Sequence, residues 1–242
     1  MAFYARDLAA IHDAGFGAFA RDAAPGLLRR LRRAGIDDGL VVDLGCGSGI
    51  WARTLTYAGY DVLGVDQSAD MLRIARRQAP RARFEQASVV EYAPPPCAAI
   101  TALGEVLCYA GSLSVLDRAD AELLLFDLAT PARGRLTAGR TFTEGDGWLL
   151  CNEVTAADST LRRRITTFTL RAGRGGWRRV DEEHRLTLFD PAEVLAQLHR
   201  AGYDGRRRRS YGRELRRYPG LAYFEAASRR ARPGPGGRAG RA

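Results

Sequence analysis

The sequence contains no lysine; all 37 of its basic residues are arginine. That excludes a phosphate-cradling loop of the Gly-Lys-Ser/Thr type, which needs the lysine ammonium. So complete a preference for arginine reads as nucleotide-composition bias more than as function. Cysteine and histidine are scarce: four cysteines (Cys46, Cys97, Cys108, Cys151) and three histidines lie far apart, with no C-x-x-C pair. No metal site and no disulfide framework is indicated, and the cysteines read as small reduced apolar residues. No apolar run approaches the ~18 residues of a membrane span. The first 16 residues carry Asp7 and Asp13 and lack the apolar core of a secretory signal, so the expected location is the cytoplasm.

What is present suits one globular domain with a full core: 242 residues, 46% hydrophobic and 27% charged. The net charge of +9 is not spread evenly. Residues 1–200 are neutral, and the surplus lies in 201–242, where 12 arginines face only Asp204, Glu214 and Glu225. The run Arg206–Arg209 and the tail 229–242 (RRARPGPGGRAGRA) carry it. The tail composition is that of a disordered, solvated appendage, with contact to RNA as the alternative use.

Apolar residues at three- and four-residue spacing predict two N-terminal helices, one with Tyr4, Leu8, Ile11, His12 and Phe16, the other with Leu27, Leu28, Leu31 and Ile36. Pro25 suits the first turn of the second helix and Gly35 its end. Strands at 40–44, 61–65, 83–85, 98–103 and 122–128 then alternate with helices at 50–58 and 68–79, the latter capped by Ser68. This alternation implies an α/β fold with a doubly wound, mostly parallel sheet. After strand five the pattern changes to three strand-like runs, 148–154, 161–170 and 177–188, which read as an antiparallel meander. A helix at 191–201, capped by Asp190, and closing strands at 206–211 and 221–226 complete a domain expected to span 1–228. Within it, 1–36 forms a helical lid and 137–189 an antiparallel cap.

The informative stretch is Val42-Asp43-Leu44-Gly45-Cys46-Gly47-Ser48-Gly49-Ile50. A strand leads into a glycine turn that permits positive φ and close approach of a ligand, and a helix N-terminus follows. The spacing is G-x-G-x-G, with Ile50 where a dinucleotide fingerprint has its third glycine. Asp43 beside the turn is wrong for a pyrophosphate and right for a ligand with an ammonium group. Asp66 ends the second strand, where an acid in doubly wound folds binds ribose hydroxyls. A ribose diol, no phosphate and a cationic amino-acid tail together describe S-adenosylmethionine.

At these residues the chain resembles a class I S-adenosylmethionine-dependent methyltransferase of the bacterial small-molecule type. VVDLGCGSGIWA is similar to the first motif of that family, YDVLGVDQSADMLRIAR to its second, ARFEQASVVEY and ITALGEVLCYA to the segments of strands three and four. The resemblance implies the family's Rossmann-like fold and S-adenosyl-L-methionine as cofactor. It implies that Gly45, Gly47 and Gly49 line the methionine and ribose part, Asp43 holds the amino end, Asp66 the ribose, and Gln67, Met71, Ser88 and Val89 the adenine. Gly104 and Glu105 lead toward the methyl group.

Methyl transfer is an in-line displacement in which the protein orients the nucleophile, excludes water and sometimes takes a proton. Tyr109, His12 and Glu105 are the candidate catalytic residues, and Tyr4, Phe16 and His184 the candidate substrate-binding ones. The expected acceptor is a small molecule methylated on N or O, with no membrane partner, no nucleic acid, and a monomeric or homodimeric state. The alternatives are an RNA methyltransferase using the Arg-rich C-terminus and a catalytically decayed cofactor-binding protein. Pro96-Cys97 is set aside as a nucleophile because it precedes strand four, at the wrong end of the sheet. Two departures from the family pattern stand out: Ala87-Ser88 replaces Gly-Asp, and only residues 106–121 connect strands four and five. That crossover leaves room for at most two turns of helix, around 114–121, and so for one under-covered sheet face.

Overall fold

The computed structural model describes residues 3–171, 173, 175–212 and 218–230. Its frame is a seven-stranded sheet in the order β10-β11-β5-β4-β1-β2-β3. The strands β1 (Leu40–Leu44), β2 (Asp61–Asp66), β3 (Arg83–Gln86), β4 (Cys97–Ala102) and β5 (Ala121–Ala129) run parallel. The last strand, β11 (Leu221–Ser228), enters antiparallel between β5 and β10 (Tyr203–Arg208). The central strands are buried on both faces, which is why they read as largely apolar runs. The expected mostly parallel, doubly wound sheet with a separate antiparallel meander is the fold observed.

Helix α1 (Arg6–Phe16) and helix α2 (Ala18–Arg33) differ from the expected pair. Tyr4 precedes α1, in a left-handed conformation at φ 46°. Helix α2 starts seven residues before Pro25, which sits inside it at the cost of one backbone hydrogen bond. Its first half buries Phe19, Ala23 and Ala24, and alanines carry too little hydrophobic contrast to show periodicity. Gly26 is required here: a Cβ at this position would lie 1.4 Å from the carbonyl oxygen of Tyr211. We expect Gly26→Ala to force α2 off the sheet and cost about 1–3 kcal/mol or more, measurable as a lower denaturation midpoint.

Helices α3 (Ile50–Tyr57) and α4 (Ala69–Gln78) follow β1 and β2, and Ser68 caps α4 by accepting the Met71 N–H at 3.1 Å. The β4-to-β5 connection contains two short helices, α5 (Val106–Ala110) and α6 (Ser114–Asp117), the first of them earlier than expected. The face they leave thinly covered is closed from within the chain. The short helix α7 (Pro131–Thr137) leads into a second sheet of four antiparallel strands, β6 (Gly139–Gly145), β7 (Trp148–Ala157), β8 (Thr160–Leu170) and β9 (Trp177–Thr187). Val154, Leu161, Leu186 and Leu188 from this region join Leu107, Val115 and Leu116 in one continuous core. Sequence patterning missed α7 and β6; the residues of β6 are almost all exposed.

Helix α8 (Pro191–Arg200) has Asp190 as its N-cap and ends before Gly202, at φ 91°. The strand expected at 206–211 lies earlier, at 203–208. Tyr211 turns inward instead, and its hydroxyl sits between the Phe224 carbonyl, 2.7 Å away, and that of Phe126, with its one proton for either. The basic tail expected from residue 229 lies outside the described residues apart from Arg229 and Arg230. Those two pair with the His199 carbonyl and with Asp120. Among the described residues no helix is long and apolar enough to cross a membrane.

Candidate active site

The carboxyl ends of β1, β2 and β4 open into a cavity of about 750 Å3, roofed by α1 and by the inner face of the second sheet. Its size and position are those of a ligand site in a doubly wound fold. Of the residues singled out in the sequence, Tyr4, His12, Phe16, Asp43, Gly45, Gly47, Asp66, Gln67, Met71, Ser88, Val89, Gly104, Glu105 and Tyr109 line it. Gly49 and His184 do not. Gly49 caps α3 in a left-handed conformation, and a Cβ there would stand 3.0 Å from Ala75 of α4.

The glycine turn lines the cavity with backbone. Gly45 and Gly47 have φ of 63° and 54°, and a side chain at Gly45 would collide with Val106. The space above Gly47 is open, with nothing within 4 Å of the point a Cβ would occupy. Asp66 organises the turn: its carboxylate accepts the N–H groups of Gly47 at 2.9 Å and Ser68 at 2.8 Å. Burial raises its pKa, and these N–H groups oppose the rise. Asp43 is almost wholly buried and accepts the Thr101 hydroxyl at 2.8 Å, while Thr101 in turn receives the Trp51 indole N–H. Burial, with Asp66 adding to it, pushes the Asp43 carboxyl up to about 7 against the Thr101 hydrogen bond. A buried carboxylate with no cation paired to it among the described residues fits a ligand that brings one.

The far side of the cavity is a chamber between α1 and the second sheet. Leu8 and Ile11 pack on Leu150 and Ile165. The His12 ring stacks on Phe16 at 5.9 Å and meets the edge of Tyr4 at 5.2 Å. Its Nδ1 is buried without a partner, and burial lowers its pKa to about 4. Asn152, the only asparagine in the chain, also lines the cavity with a partnerless buried Oδ1. Tyr4 is strapped across the entrance. The N–H groups of Tyr4 and Ala5 donate to Glu182 at 2.8 and 3.0 Å, and the Tyr4 carbonyl accepts the Ser68 hydroxyl at 2.8 Å. His184 stands behind this strap, 3.1 Å from Glu182 and in ring contact with Phe3, Tyr4 and Tyr109.

Glu105 ends the loop after β4 at φ 65°, its N–H held by Asp127 at 2.7 Å. Its carboxylate spans two buried guanidiniums, Arg133 Nε at 3.0 Å and Arg163 Nη2 at 2.6 Å. Burial alone would raise its pKa, but the two arginines together hold it below the ordinary value. Arg163 also donates to the Tyr109 hydroxyl at 2.8 Å, and that hydroxyl is 3.5 Å from the Tyr4 hydroxyl. Arg133 and Arg163 escaped the sequence reading because arginine is everywhere in this chain. One signal was there for Arg163: it occupies the inward phase of β8, between buried Leu161 and Ile165 and in step with Thr167.

The sequence matches the methyltransferase domain family over residues 41–125. It is 50% identical over 60 residues to a trans-aconitate 2-methyltransferase of Rhodopseudomonas palustris, a segment covering 24% of this chain and 23% of that relative. A Delftia acidovorans protein of the same name is 45% identical over 58 residues, 23% of this chain and 22% of its own. The aligned segment thus spans about a quarter of the curated relatives. Solved structures align over nearly the whole chain. An S-adenosylmethionine-dependent methyltransferase from Clostridium acetobutylicum superposes with a TM-score of 0.76 at 16% identity, covering 92% of this chain and 98% of that one. The sugar N-methyltransferase KedS8 from Streptoalloteichus gives 0.75 at 22%, covering 91% and 92%. The fold is the Rossmann-like methyltransferase fold. The segment 41–125, which holds the glycine turn, Asp43 and Asp66, is the part that matches the methyltransferase domain family.

Proposed function

We propose that this protein is an enzyme that transfers the methyl group of S-adenosylmethionine to N or O of a small-molecule acceptor held in the α1-roofed chamber. The observation that carries the reading is that Asp43 and Asp66, both buried, line one cavity beside the open backbone of Gly45 and Gly47. Asp43 meets the donor's amino group and Asp66 its ribose. Gln67, Met71, Ser88 and Val89, all in the cavity lining, flank the adenine. S-adenosylmethionine supplies an activated methyl group, so no metal or covalent enzyme intermediate is called for. The protein's work is to orient the acceptor and keep water out. Tyr109 and His12 border the acceptor, while Glu105 anchors Arg133 and Arg163 rather than taking a proton.

Calorimetric titration with S-adenosylhomocysteine tests the reading. Wild type should bind one equivalent, and Asp66→Ala should weaken binding at least about tenfold, as expected for loss of charge-assisted hydrogen bonds. No binding by wild type would refute it.

A further inference from the structure

The chamber holds a cation, Arg163, that donor binding does not use. Arg163 and Arg133 keep side-chain exposures of only 15% and 12%, and among the described residues the carboxylate that pairs with them is Glu105. The next acid, Asp127, has both oxygens committed to backbone, on the N–H groups of Gly104 at 2.9 Å and Glu105 at 2.7 Å. Glu105 is therefore the carboxylate to which both guanidiniums hydrogen-bond, with Asp127 adding its charge from behind. Arg163 lines the cavity and donates through Nη1 to Tyr109 and through Nη2 to Glu105, a partial use of the five N–H donors in its planar fork.

The groups around Arg163 are also poorly suited to taking a proton. Glu105 has each oxygen on a guanidinium. His12 is buried against Phe16 and Tyr4 and is a weak base in that setting, and His184, across the strand pair from Arg163, is held on Glu182 and does not line the cavity. An amine acceptor would arrive as an ammonium ion, would need to lose a proton, and would meet Arg163. A carboxylate has neither difficulty.

We propose that the acceptor is a carboxylic acid whose carboxylate is seated on the Arg163 guanidinium beside Tyr109, and that a carboxylate oxygen takes the methyl group. This rests on the transferase reading above and chooses within its N-or-O alternative. The oxygen lone pair forms the O–CH3 bond as the S–CH3 bond breaks, and the bonding pair stays on sulfur. One negative and one positive charge vanish into a neutral ester and a neutral thioether, so no proton has to move. Phe3, Tyr4, Phe16 and Tyr109 around the same space favour a flat, unsaturated or aromatic body.

The test uses the full chain with methyl-tritiated S-adenosylmethionine and an equimolar panel of aliphatic, unsaturated and aromatic mono-, di- and tricarboxylic acids with the amines of matching skeleton. The expected product releases its label as volatile methanol in mild alkali, which esters do and N-methyl groups do not. For the best acid, Arg163→Leu should raise KM roughly 10- to 100-fold, the loss expected for hydrogen bonds to a charged group, with Arg163→Lys intermediate. The S-adenosylhomocysteine Kd should stay within about threefold in both variants, which also shows that they fold. Calorimetry should show the same acid binding the wild-type S-adenosylhomocysteine complex and not the Arg163→Leu complex. Alkali-stable label, transfer to the amines alone, or an unchanged KM in Arg163→Leu would overturn the carboxylate assignment while leaving the transferase reading intact. No labelled product from any acid of the panel would likewise overturn the carboxylate assignment, whereas failure of wild type to bind S-adenosylhomocysteine would take the transferase reading down with it.

Discussion

Asp43→Asn should weaken S-adenosylhomocysteine binding by roughly 2–5 kcal/mol, the usual cost of removing one member of a buried charge pair, or about 30-fold to a few thousand-fold. The same substitution should make the ligand-free protein more stable at pH 8. The two effects have opposite signs for one reason. Burial raises the Asp43 carboxyl to about 7, above its ordinary value of 3.8. In the folded state the neutral form is favoured, so its contribution to stability is fully present below about pH 4 and is lost as pH rises through about 7. At pH 8 the empty site holds an uncompensated buried anion. The Asp43→Asn substitution removes that penalty while keeping an oxygen for the Thr101 hydroxyl. The upper limit of the gain is about 4 kcal/mol, one pKa unit being about 1.4 kcal/mol.

Ligand binding runs the other way. Only the ionised carboxylate attracts the donor's ammonium group, so wild-type affinity should fall by up to about tenfold per pH unit below about 7 and level off above it. The Asp43→Asn variant should show a flat profile across that range. Calorimetry between pH 5.5 and 8.5, paired with thermal unfolding of both empty proteins, reads both signs. A variant with unchanged affinity, or one that loses stability at pH 8, would separate Asp43 from donor binding.

Much of this site was legible in the sequence because its elements carry strong local signals. The parallel strands are buried on both faces and spell largely apolar runs, Leu40–Leu44 and Leu123–Phe126 above all. The G-x-G-x-G turn needs positive φ, which only glycine adopts without strain, and an acid on each side of it restricts the ligand's chemistry. The rest depends on tertiary context that leaves little local trace. Strand β6 is exposed almost throughout and is held by its pairing with β7. Ala18–Ala24 is helical because it packs on the sheet, not because alanine alternates with anything. His184 carries an imidazole on the inward phase of β9 and so reads as a ligand contact, whereas it backs Glu182, which ties down Tyr4. Arg133 and Arg163 are two of 37 arginines, and what sets them apart is burial around Glu105, which joins residues 28 and 58 positions away.

Glu105 itself decides between two roles. A general base would lose turnover on conversion to glutamine and keep its stability, since a free carboxylate in a cavity contributes little to the fold. A carboxylate that compensates two buried guanidiniums behaves differently. Removing one partner of a buried ion pair costs about 3–5 kcal/mol because the remaining charge is stranded. In a domain of this size that corresponds to a Tm lower by roughly 6–20 °C. Glu105→Gln is expected to show that drop at pH 7. The pH dependence follows from the lowered carboxyl pKa. The Glu105 contribution is present above its ordinary value of 4.5 and is lost as pH falls through the depressed folded value, so wild type and Glu105→Gln should converge in Tm only in acid, below that folded value. Removing a guanidinium as well should recover part of the loss. The double variant Glu105→Gln/Arg163→Leu strands one cation fewer, so it should be more stable than the sum of the two single variants predicts, by an interaction energy of about 0.5–3 kcal/mol. Additive losses, or a glutamine variant that melts with wild type, would return Glu105 to the role of a free base. The coupling also bears on the acceptor: if Arg163 is held in place by Glu105, the glutamine variant should bind carboxylates more weakly even at temperatures where it remains folded.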